Sequence, residues 1–304
     1  MVSNRHRQVG LPGRAPVLRA DGLGKSYQAV QAVESITLEV RPGSIVGLVG
    51  NNGAGKSTTL KMLCGLIEPS RGTATVAGRP TLEPATRAMI GYLPEDTPLY
   101  EEQTAIACLA FFGGLYGLSR RASKQRAEHL LRRLRLDEGF WRKPIGELSK
   151  GSARKVAIAR ALLHDPPVLI LDEPASGLDP ATRRELDQFL LELCREGKAI
   201  LLSAHNLRQV EEMCDSIVLL HQGRVAAQGS LAALRQSFGT PRYRLHADRA
   251  FTGSAAHGPL HVGEVSSPEA LERALAEVRS AGGTPVEVES LPPSLDDILR
   301  RVAV

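Results

Sequence analysis

Residues 50–58 are the part of this sequence best suited to bind an anion. They read Gly50-Asn51-Asn52-Gly53-Ala54-Gly55-Lys56-Ser57-Thr58. The pattern G-x-x-x-x-G-K-[ST] lies here between a predicted strand and a predicted helix, the context that it needs. Glycines let successive backbone N–H groups turn toward phosphate oxygens, and the helix start presents its positive dipole end to them. Lys56 is then placed to reach the β- and γ-phosphates and Ser57 to bind Mg²⁺, which an ordinary strand-to-helix turn would not require.

Two adjacent acidic residues follow a second apolar run. Val168–Leu171 is followed by Asp172 and Glu173. A buried parallel strand brings the residues after it to the carboxyl edge of the sheet, where ligands bind in this architecture. Asp172 is placed there to hold Mg²⁺, directly or through water, and Glu173 to orient or deprotonate an attacking water. An isolated Asp-Glu pair is more often a solvated loop, so this interpretation depends on residues 50–58.

A second candidate anion site lies in the pentapeptide Leu148-Ser149-Lys150-Gly151-Ser152, just before a predicted helix. A helix that starts at Ser149, with Gly151 close behind, offers a second terminus able to bind an anion. A protein with one phosphate pocket has no obvious use for it, whereas a dimer that traps a nucleotide between two chains does. A plain helix N-cap is the competing interpretation, and the pentapeptide alone leaves it open.

The elements that must position these residues alternate short apolar strands with amphipathic helices. Strands are predicted within 17–40 and at 44–49, 73–77, 168–171, 199–203 and 216–220. Helices are predicted at 57–66, within 104–135, and at 153–163, 183–196 and 207–214. This alternation favours a mostly parallel α/β sheet. The composition changes near Gly239, and the order strand, loop, helix, strand, helix then predicts a small separate α/β unit with Ser267 and Ser294 as N-caps.

Composition and charge narrow the class of protein. The chain has 304 residues, of which 42% are hydrophobic, and this is enough for one large domain with or without a small one. A net charge of +5 permits nucleic acid or an anionic membrane surface as a partner, and a few surplus arginines on a solvated face explain it equally well. The cysteines have no metal-ligand spacing, which indicates reduced, buried thiols: Cys64, Cys108, Cys194 and Cys214.

Neither the amino terminus nor any apolar run predicts a membrane segment. Residues 1–15 lack the apolar core of a signal peptide and are expected to be a disordered leader. The longest apolar stretch, Ala105–Leu118, is shorter than the ~20 residues that a membrane-spanning helix needs. Stretches of this length are more often buried core helices, which is the prediction here.

Taken in order, these motifs resemble those of the ATP-binding-cassette (ABC) ATPases over roughly Val17–Leu234. Residues 148–152 resemble the family's Leu-Ser-Gly-Gly-Gln signature, with Lys150 and Ser152 as departures. Four further motifs follow the family's order: an adenine-stacking aromatic at Tyr27, a Q-loop at Ile90-Gly91-Tyr92-Leu93-Pro94-Glu95, a D-loop at Ser176-Gly177-Leu178-Asp179 and a switch histidine at His205. Glu95 replaces the usual glutamine, and a carboxylate cannot donate a hydrogen bond as an amide does.

The resemblance implies the α/β fold of a P-loop NTPase, with a mostly parallel central sheet, an antiparallel β subdomain and a helical subdomain. It assigns residues 16–238 to the ABC ATPase domain, with the helical subdomain at about 96–165. Residues 239–304 are then a small C-terminal α/β appendage.

The resemblance also implies a head-to-tail homodimer that hydrolyses ATP with Mg²⁺. Each ATP would lie between residues 50–58 of one chain and Ser149–Gly151 of the other. Glu173 would be the general base and His205 would contact the γ-phosphate. The remaining implied roles are nucleotide binding by Tyr27 and Asp179, metal binding by Ser57 and Asp172, and a part in both catalysis and metal binding for Glu95.

The C-terminal motif Pro293-Ser294-Leu295-Asp296-Asp297-Ile298 resembles the ending of ABC subunits that drive separately encoded export permeases. A capped terminal helix with two acidic residues in its first turn is the competing interpretation. The resemblance implies a membrane permease as partner, docked on the helix-rich segment between Glu95 and Ser149. The chain would then act at the cytoplasmic face of the membrane and need no nucleic acid.

Two other classes of protein remain as alternatives. A soluble ABC ATPase acting on ribosomes or nucleic acid fits the basic charge, but such proteins usually carry a second cassette or long coiled coils, and the sequence has neither. A P-loop kinase or GTPase fits the phosphate loop alone. The sequence lacks a guanine-specificity N-K-x-D motif, and a kinase would not need Ser149–Gly151.

Overall fold

The computed structural model describes residues 15–28, 30–239 and 242–302, so nearly all of the predicted leader lies outside the described residues. These residues fall into two compact units that divide between Gln228 and Gly229. The predicted boundary, after residue 238, lies ten residues further on, since helix 231–238 packs within the second unit. Arg235 Nε there donates to the Pro293 carbonyl at 2.8 Å.

An antiparallel group of strands forms one side of the first unit. β1 (Leu18–Tyr27) pairs with β2 (Val30–Val40) and with β4 (Arg71–Val76), which continues to β5 (Arg79–Pro80). From Ile36 to Val40 alternate residues of β2 are buried, because successive side chains of a strand point to opposite faces. The predicted antiparallel β subdomain is therefore present.

The rest of the same sheet is mostly parallel. It contains β3 (Ile45–Gly50), β6 (Ile90–Leu93), β7 (Val168–Leu171), β8 (Ala199–Ser203), β9 (Ser216–His221) and β10 (Arg224–Gly229). The ten-stranded order is β5-β4-β1-β2-β10-β9-β3-β8-β7-β6. Every residue of β3, β7 and β8 is buried, as expected for strands covered on both faces. Parallel pairing of β3, β8, β7 and β6 brings the residues that follow these strands to one edge of the sheet.

Seven α-helices of the first unit's described residues pack around this sheet. They are α1 (Lys56–Leu63), α2 (Pro84–Arg87), α3 (Ala105–Leu115), α4 (Arg120–Arg133), α5 (Lys150–Leu162), α6 (Pro180–Arg195) and α7 (Leu207–Met213). The predicted helix-rich segment is thus two helices, which separate at Gly117, where φ is +81°. Of the cysteines expected to be buried, Cys64 and Cys108 are buried, whereas Cys194 and Cys214 are partly exposed.

Helix α3 corrects the prediction of a fully buried core helix. Its interior side buries Ala105, Cys108 and Leu109 completely. Its other side exposes a row of large apolar side chains, with Phe111 at 50% and Leu115 at 66%. The stretch is apolar on both sides, so its composition could not show that only one side is covered.

The second unit contains a four-stranded antiparallel sheet and three helices among its described residues. The strand order is β12 (Ala255–His257), β13 (Leu260–Val265), β11 (Arg242–Ala247) and β14 (Pro285–Leu291). The helices are α8 (Leu231–Phe238), α9 (Pro268–Ser280) and α10 (Leu295–Val302). Ser267 caps α9 as predicted, by accepting the N–H of Ala270 at 3.1 Å. The segment expected to be a loop contains the hairpin β12–β13.

Among residues 15–28, 30–239 and 242–302, every helix is too short or too polar to cross a bilayer.

Candidate functional site

The loop between β3 and α1 forms one wall of a cleft. Three of its glycines stand where a side chain would not fit or would be strained. A β-carbon on Gly50 would lie 2.4 Å from the Leu220 carbonyl oxygen, and one on Gly55 would lie 2.8 Å from that of Ala32. Gly53 and Gly55 have φ of +79° and +97°, in the region that favours glycine. The loop therefore follows a tight path with its backbone close to the cleft.

The start of α1 has no capping side chain. Its N-cap is Gly55, which has no side chain to accept a hydrogen bond, so the first-turn N–H groups are available to an anion. Other helices of the unit differ, since Thr104 caps α3 and Ser119 caps α4. Lys56 is buried, and its Nζ donates to the Gly50 carbonyl at 2.8 Å. A positive charge and free N–H groups thus converge on the same point.

The opposite wall consists of side chains that follow β7 and β8. Asp172 and Glu173 come directly after β7 and are buried. Ser203, the last residue of β8, joins them: its Oγ donates to Asp172 Oδ1 at 2.6 Å and accepts the Glu173 N–H at 2.9 Å. Sequence reasoning missed Ser203, because nothing but its place at the end of an apolar strand distinguishes it from other serines.

Glu173 has the environment of a base. Its backbone N–H group and one carboxylate oxygen are bound: the His205 N–H donates to Oε2 at 3.1 Å. The second oxygen, Oε1, lies 3.3 Å from His205 Nε2 but accepts no hydrogen bond, although it is buried. Burial raises the pKa of Glu173, opposed by His205 and Lys56 and reinforced by Asp172. An unsatisfied carboxylate oxygen with a raised pKa is suited to accept a proton from a water in the cleft.

The cleft between these walls has a volume of about 560 Å³, within the range of small-molecule sites. Most of the residues predicted to act on phosphate or water line it. The lining comprises Ala32, Asn52, Gly53, Gly55, Lys56, Ser57, Thr58, Glu95, Asp172, Glu173 and His205. Sequence positions far apart are brought together because β3, β6, β7 and β8 end at the same edge of the sheet.

Seven residues assigned to the nucleotide by sequence are not among those that line this cleft. Gly50, Asn51 and Ala54 belong to the loop itself, whereas Tyr27, Ser149, Gly151 and Asp179 belong to other segments. Tyr27 ends β1 with 47% of its surface exposed, and Lys25 Nζ lies 5.2 Å from its ring centroid. Ser149 caps α5 by accepting the Ser152 N–H at 3.1 Å, with Gly151 in the first turn of that helix. Asp179 caps α6, and hydrogen bonds from Thr182 and Ala181 lower its pKa.

Lys150, a departure from the family signature, is exposed but does not extend freely into solvent. A β-carbon on Gly177 would lie 2.3 Å from Lys150 Nζ, so the lysine packs directly on this glycine. The absence of a side chain at Gly177 is what makes room for it. Residues 148–152 and 176–179 therefore touch within one chain.

The donor atoms of the cleft suit a hard divalent cation. Ser57, Asp172 and Glu95 line it together, and hydroxyl and carboxylate oxygens are the ligands that Mg²⁺ prefers. Within the described part of the chain, no cluster of three or more His, Cys, Asp or Glu side chains could hold a metal by itself.

A glycine loop at a helix start that faces an Asp-Glu pair at the end of a parallel strand is typical of P-loop NTPases. Comparison with known proteins narrows this class. Residues 33–176 match the family described as "ABC transporter". NatA, an ABC transporter ATP-binding protein of Bacillus subtilis, is 42% identical over 213 residues, which are 69% of this chain and 86% of NatA.

Two further relatives and two solved structures agree. YxlF of Bacillus subtilis, an uncharacterized ABC transporter ATP-binding protein, is 34% identical over 94% of this chain and 99% of its own length. Nod factor export ATP-binding protein I of Ralstonia nicotianae is 37% identical over 71% of this chain and 68% of its own.

The structure of an ABC transporter ATP-binding subunit has a TM-score of 0.68 at 40% identity, covering 73% of this chain and 93% of that one. A dimeric ATP-binding cassette with ADP and Pi has a TM-score of 0.65 at 25% identity, covering 70% and 98%.

The chain belongs to the ABC transporter family, as an ATP-binding subunit with ATPase activity. The predicted family and fold class are confirmed. No relative named above supports the alternative of an ATPase that acts on ribosomes or nucleic acid.

Proposed function

We propose that this chain powers export through a separate membrane permease, as a head-to-tail homodimer that encloses two ATP molecules. The observation that carries the proposal is the one-sided cleft. Residues 52, 53 and 55–58 line it together with Asp172, Glu173 and His205, whereas Ser149 and Gly151 of the same chain do not. A second copy would supply its own Ser149–Gly151 to the open side. The dimeric cassette with ADP and Pi, at 25% identity, supports this arrangement.

The residues of the cleft divide the chemistry of ATP hydrolysis between them. Backbone N–H groups at the start of α1 and the Lys56 ammonium bind the β- and γ-phosphates. Ser57 and Asp172 would hold Mg²⁺, with Glu95 beside them, and the ion would offset phosphate charge. Glu173 accepts the proton of the attacking water at Oε1, and His205 contacts the γ-phosphate. Tyr27 stacks on the base of the nucleotide, which stabilises binding without selecting adenine.

Export rather than import is supported by the names of relatives and by the C-terminal motif. Nod factor export protein I and the probable multidrug protein YbhF of Escherichia coli are both 37% identical to this chain. At the motif, Ser294 Oγ accepts the Asp297 N–H at 3.2 Å, which makes it a helix cap as well. Residues 239–304 would be a dimer-stabilising or regulatory unit of the exporter.

The exposed apolar face of α3 supports docking of a permease. Tyr100, Phe111, Leu115 and Tyr116 are each at least 45% exposed. The rings of Tyr100 and Phe111 lie against each other with centroids 6.4 Å apart, and exposed apolar groups of this kind mark interaction sites. A permease docked here would place the chain at the cytoplasmic face of the membrane.

Mixed dimers test the composite site. Lys56→Ala damages the phosphate loop and Gly151→Asp damages the signature pentapeptide, so each variant alone should lack ATPase activity. A mixture should regain part of the activity, because one site of each mixed dimer pairs an intact loop with an intact signature. Lys56→Ala mixed with Glu173→Gln is the matched control, since both defects lie on the same side of the site. No recovery in the first mixture, or equal recovery in both, would contradict the composite site.

Purification from detergent-solubilised membranes tests the partner. A tagged full-length chain should retain a multi-span membrane protein, and Phe111→Ser with Leu115→Ser should lose it while ATP binding persists. Recovery without any membrane protein, together with ATPase activity stimulated by nucleic acid, would instead favour the soluble alternative.

A further inference from the structure

One arginine side chain joins two of the segments that bear the cleft carboxylates. Arg154 lies in the second turn of α5, and it is half-buried. It donates to five backbone carbonyl oxygens at 2.8 to 3.2 Å, namely those of Pro94, Glu95, Asp172, Glu173 and Pro174. A guanidinium has five N–H donors, so all of its capacity is used on backbone.

These carbonyls lie where the sheet no longer holds the two segments together. β6 and β7 pair up to Leu93 and Leu171, and the Asp172 N–H donates to the Leu93 carbonyl at 2.8 Å. Beyond that point residues 94–95 and 172–174 no longer pair as strands. Their carbonyl groups accept hydrogen bonds from Arg154 instead. The planar fork of the guanidinium holds its donors in one fixed arrangement, which an ammonium on a flexible stem cannot do.

Glu173 needs such support because its backbone is strained. Its φ is +47°, a left-handed conformation that a residue with a β-carbon rarely adopts. Ser203 Oγ binds its N–H at 2.9 Å and Arg154 Nη2 binds its carbonyl at 2.8 Å. The peptide groups on both sides of its α-carbon are therefore held, and this sets the direction of the carboxylate.

The negative charges near Arg154 also favour this arrangement of the Glu173 segment around the guanidinium. Burial lowers the pKa of Arg154, and this is opposed by Asp172, Glu95, Asp96 and Glu173 in that order. The positively charged guanidinium lies near these four carboxylates and offsets the repulsion between them, which would otherwise push them apart. A neutral side chain at this position would supply neither the charge nor the five donors.

We propose that Arg154 is a positioning residue for ATP hydrolysis, which fixes Glu173 and Glu95 in the cleft through their backbones. This inference rests on the proposed role of Glu173 as base. Arg154 lies one turn from Ser149 on α5, so the helix that would meet the partner's nucleotide also holds the carboxylates of its own cleft. Arg154 itself is not among the residues that line the cleft.

Three full-length variants test this role: Arg154→Gln, Arg154→Lys and, as the matched control on the same helix, Lys155→Gln. Lys155 pairs with Glu185 at 2.7 Å, away from the cleft. In Arg154→Gln, kcat should fall about 10- to 100-fold, since misplacing a reacting group costs that much. The KM for ATP and the affinity for a fluorescent ATP analogue should change little, because residues 50–58 are intact. Arg154→Lys should be intermediate, with three donors in place of five.

The outcomes separate positioning from general stabilisation. If kcat in Lys155→Gln falls as far as in Arg154→Gln, or if Arg154→Lys turns over like the wild type, the inference is overturned. Should Arg154→Gln fail to fold, Arg154→Lys decides by the same criterion. Amide hydrogen exchange should increase at 94–97 and 172–175 in the Arg154 variants but not at 50–58; a uniform increase would also overturn it. If Glu173→Gln hydrolyses ATP normally, the proposed role of Glu173 as base is rejected. This outcome is independent of the Arg154 variants, so it can be told apart from a failure of the inference about Arg154.

Discussion

The two walls of the cleft are built by different means. The wall formed by residues 50–58 presents backbone N–H groups and one lysine, and its shape follows from glycines a few positions apart. The wall opposite presents side chains that come from the ends of separate strands, joined by Ser203 and Arg154. A local turn makes the first wall, whereas a buried polar network makes the second.

The two walls therefore have different expected effects on ATP affinity and on turnover. The loop wall would bind the phosphate charges that ATP already carries before the reaction, so damage to this wall should weaken the affinity for ATP. The strand-end wall meets the water and the charge that develops during the reaction, so damage to it should lower kcat. Substitutions on each wall test whether affinity and turnover divide in this way.

Glu173→Gln should have the largest effect, and this effect should be confined to kcat. Loss of a general base lowers the rate about 10²- to 10⁴-fold. ATP affinity should persist, and the dimer should be trapped with ATP, as measured by phosphate release and size-exclusion chromatography. Glu212→Gln, at an exposed position of α7, is the control and should behave as the wild type. Wild-type turnover in Glu173→Gln would remove that residue from the base role.

Lys56→Ala should act on the other wall and lower ATP affinity. Truncating one partner of a buried charge pair costs about 2–5 kcal/mol, which is roughly 30-fold or more in Kd. Calorimetric titration with ATP and Mg²⁺ measures the change. Lys61→Ala, on the exposed side of the same helix, should bind normally. An unchanged affinity in Lys56→Ala would show that backbone groups alone hold the phosphates.

Ser203→Ala should distinguish a structural role of Ser203, which supports Glu173, from a direct role in ATP hydrolysis. It leaves the buried Glu173 N–H unpaired, and such a loss lowers the free energy of unfolding by about 1–3 kcal/mol. Turnover should fall by less than in Glu173→Gln, while ATP affinity stays near wild type. Ser203→Thr keeps the hydroxyl and should restore both quantities. Denaturant titration and phosphate release provide the measurements, and equal turnover in Ser203→Ala and wild type would contradict a supporting role.

The smallest expected effect is a pH dependence of stability that comes from Glu173. Burial raises the pKa of this carboxyl in the folded protein, so the folded state binds the proton more tightly than the unfolded state. That stabilisation is present at acidic pH and is lost as the pH rises through the raised pKa. Wild type should therefore lose stability relative to Glu173→Gln between acidic and neutral pH, as the difference in Tm between the two proteins measures. A constant difference would contradict the raised pKa.

Sequence reasoning located the loop wall more completely than the strand-end wall. Lys56 and Ser57 follow from a contiguous pattern, and the structure places both in the cleft. Asp172, Glu173 and His205 were also found, and they line it too. Ser203 and Arg154 were missed, because their importance lies in contacts with residues far along the chain. Ser203 binds Asp172, 31 positions away, and Arg154 binds carbonyl groups 18 to 60 positions away. The chemical roles assigned to all of these residues stay predictions, as do those of Tyr27, Ser149, Gly151 and Asp179.

The amino-acid sequence alone was enough to locate the main alternation of strands and helices, the glycine loop and the caps of the later helices. These depend on neighbours a few positions apart, where backbone freedom and local hydrogen bonds decide. The folded structure was needed to show which strand ends meet at one edge, that Oε1 of Glu173 is buried without a hydrogen bond, and that one side of α3 is exposed. Those features depend on register and burial between distant segments, which no local pattern encodes.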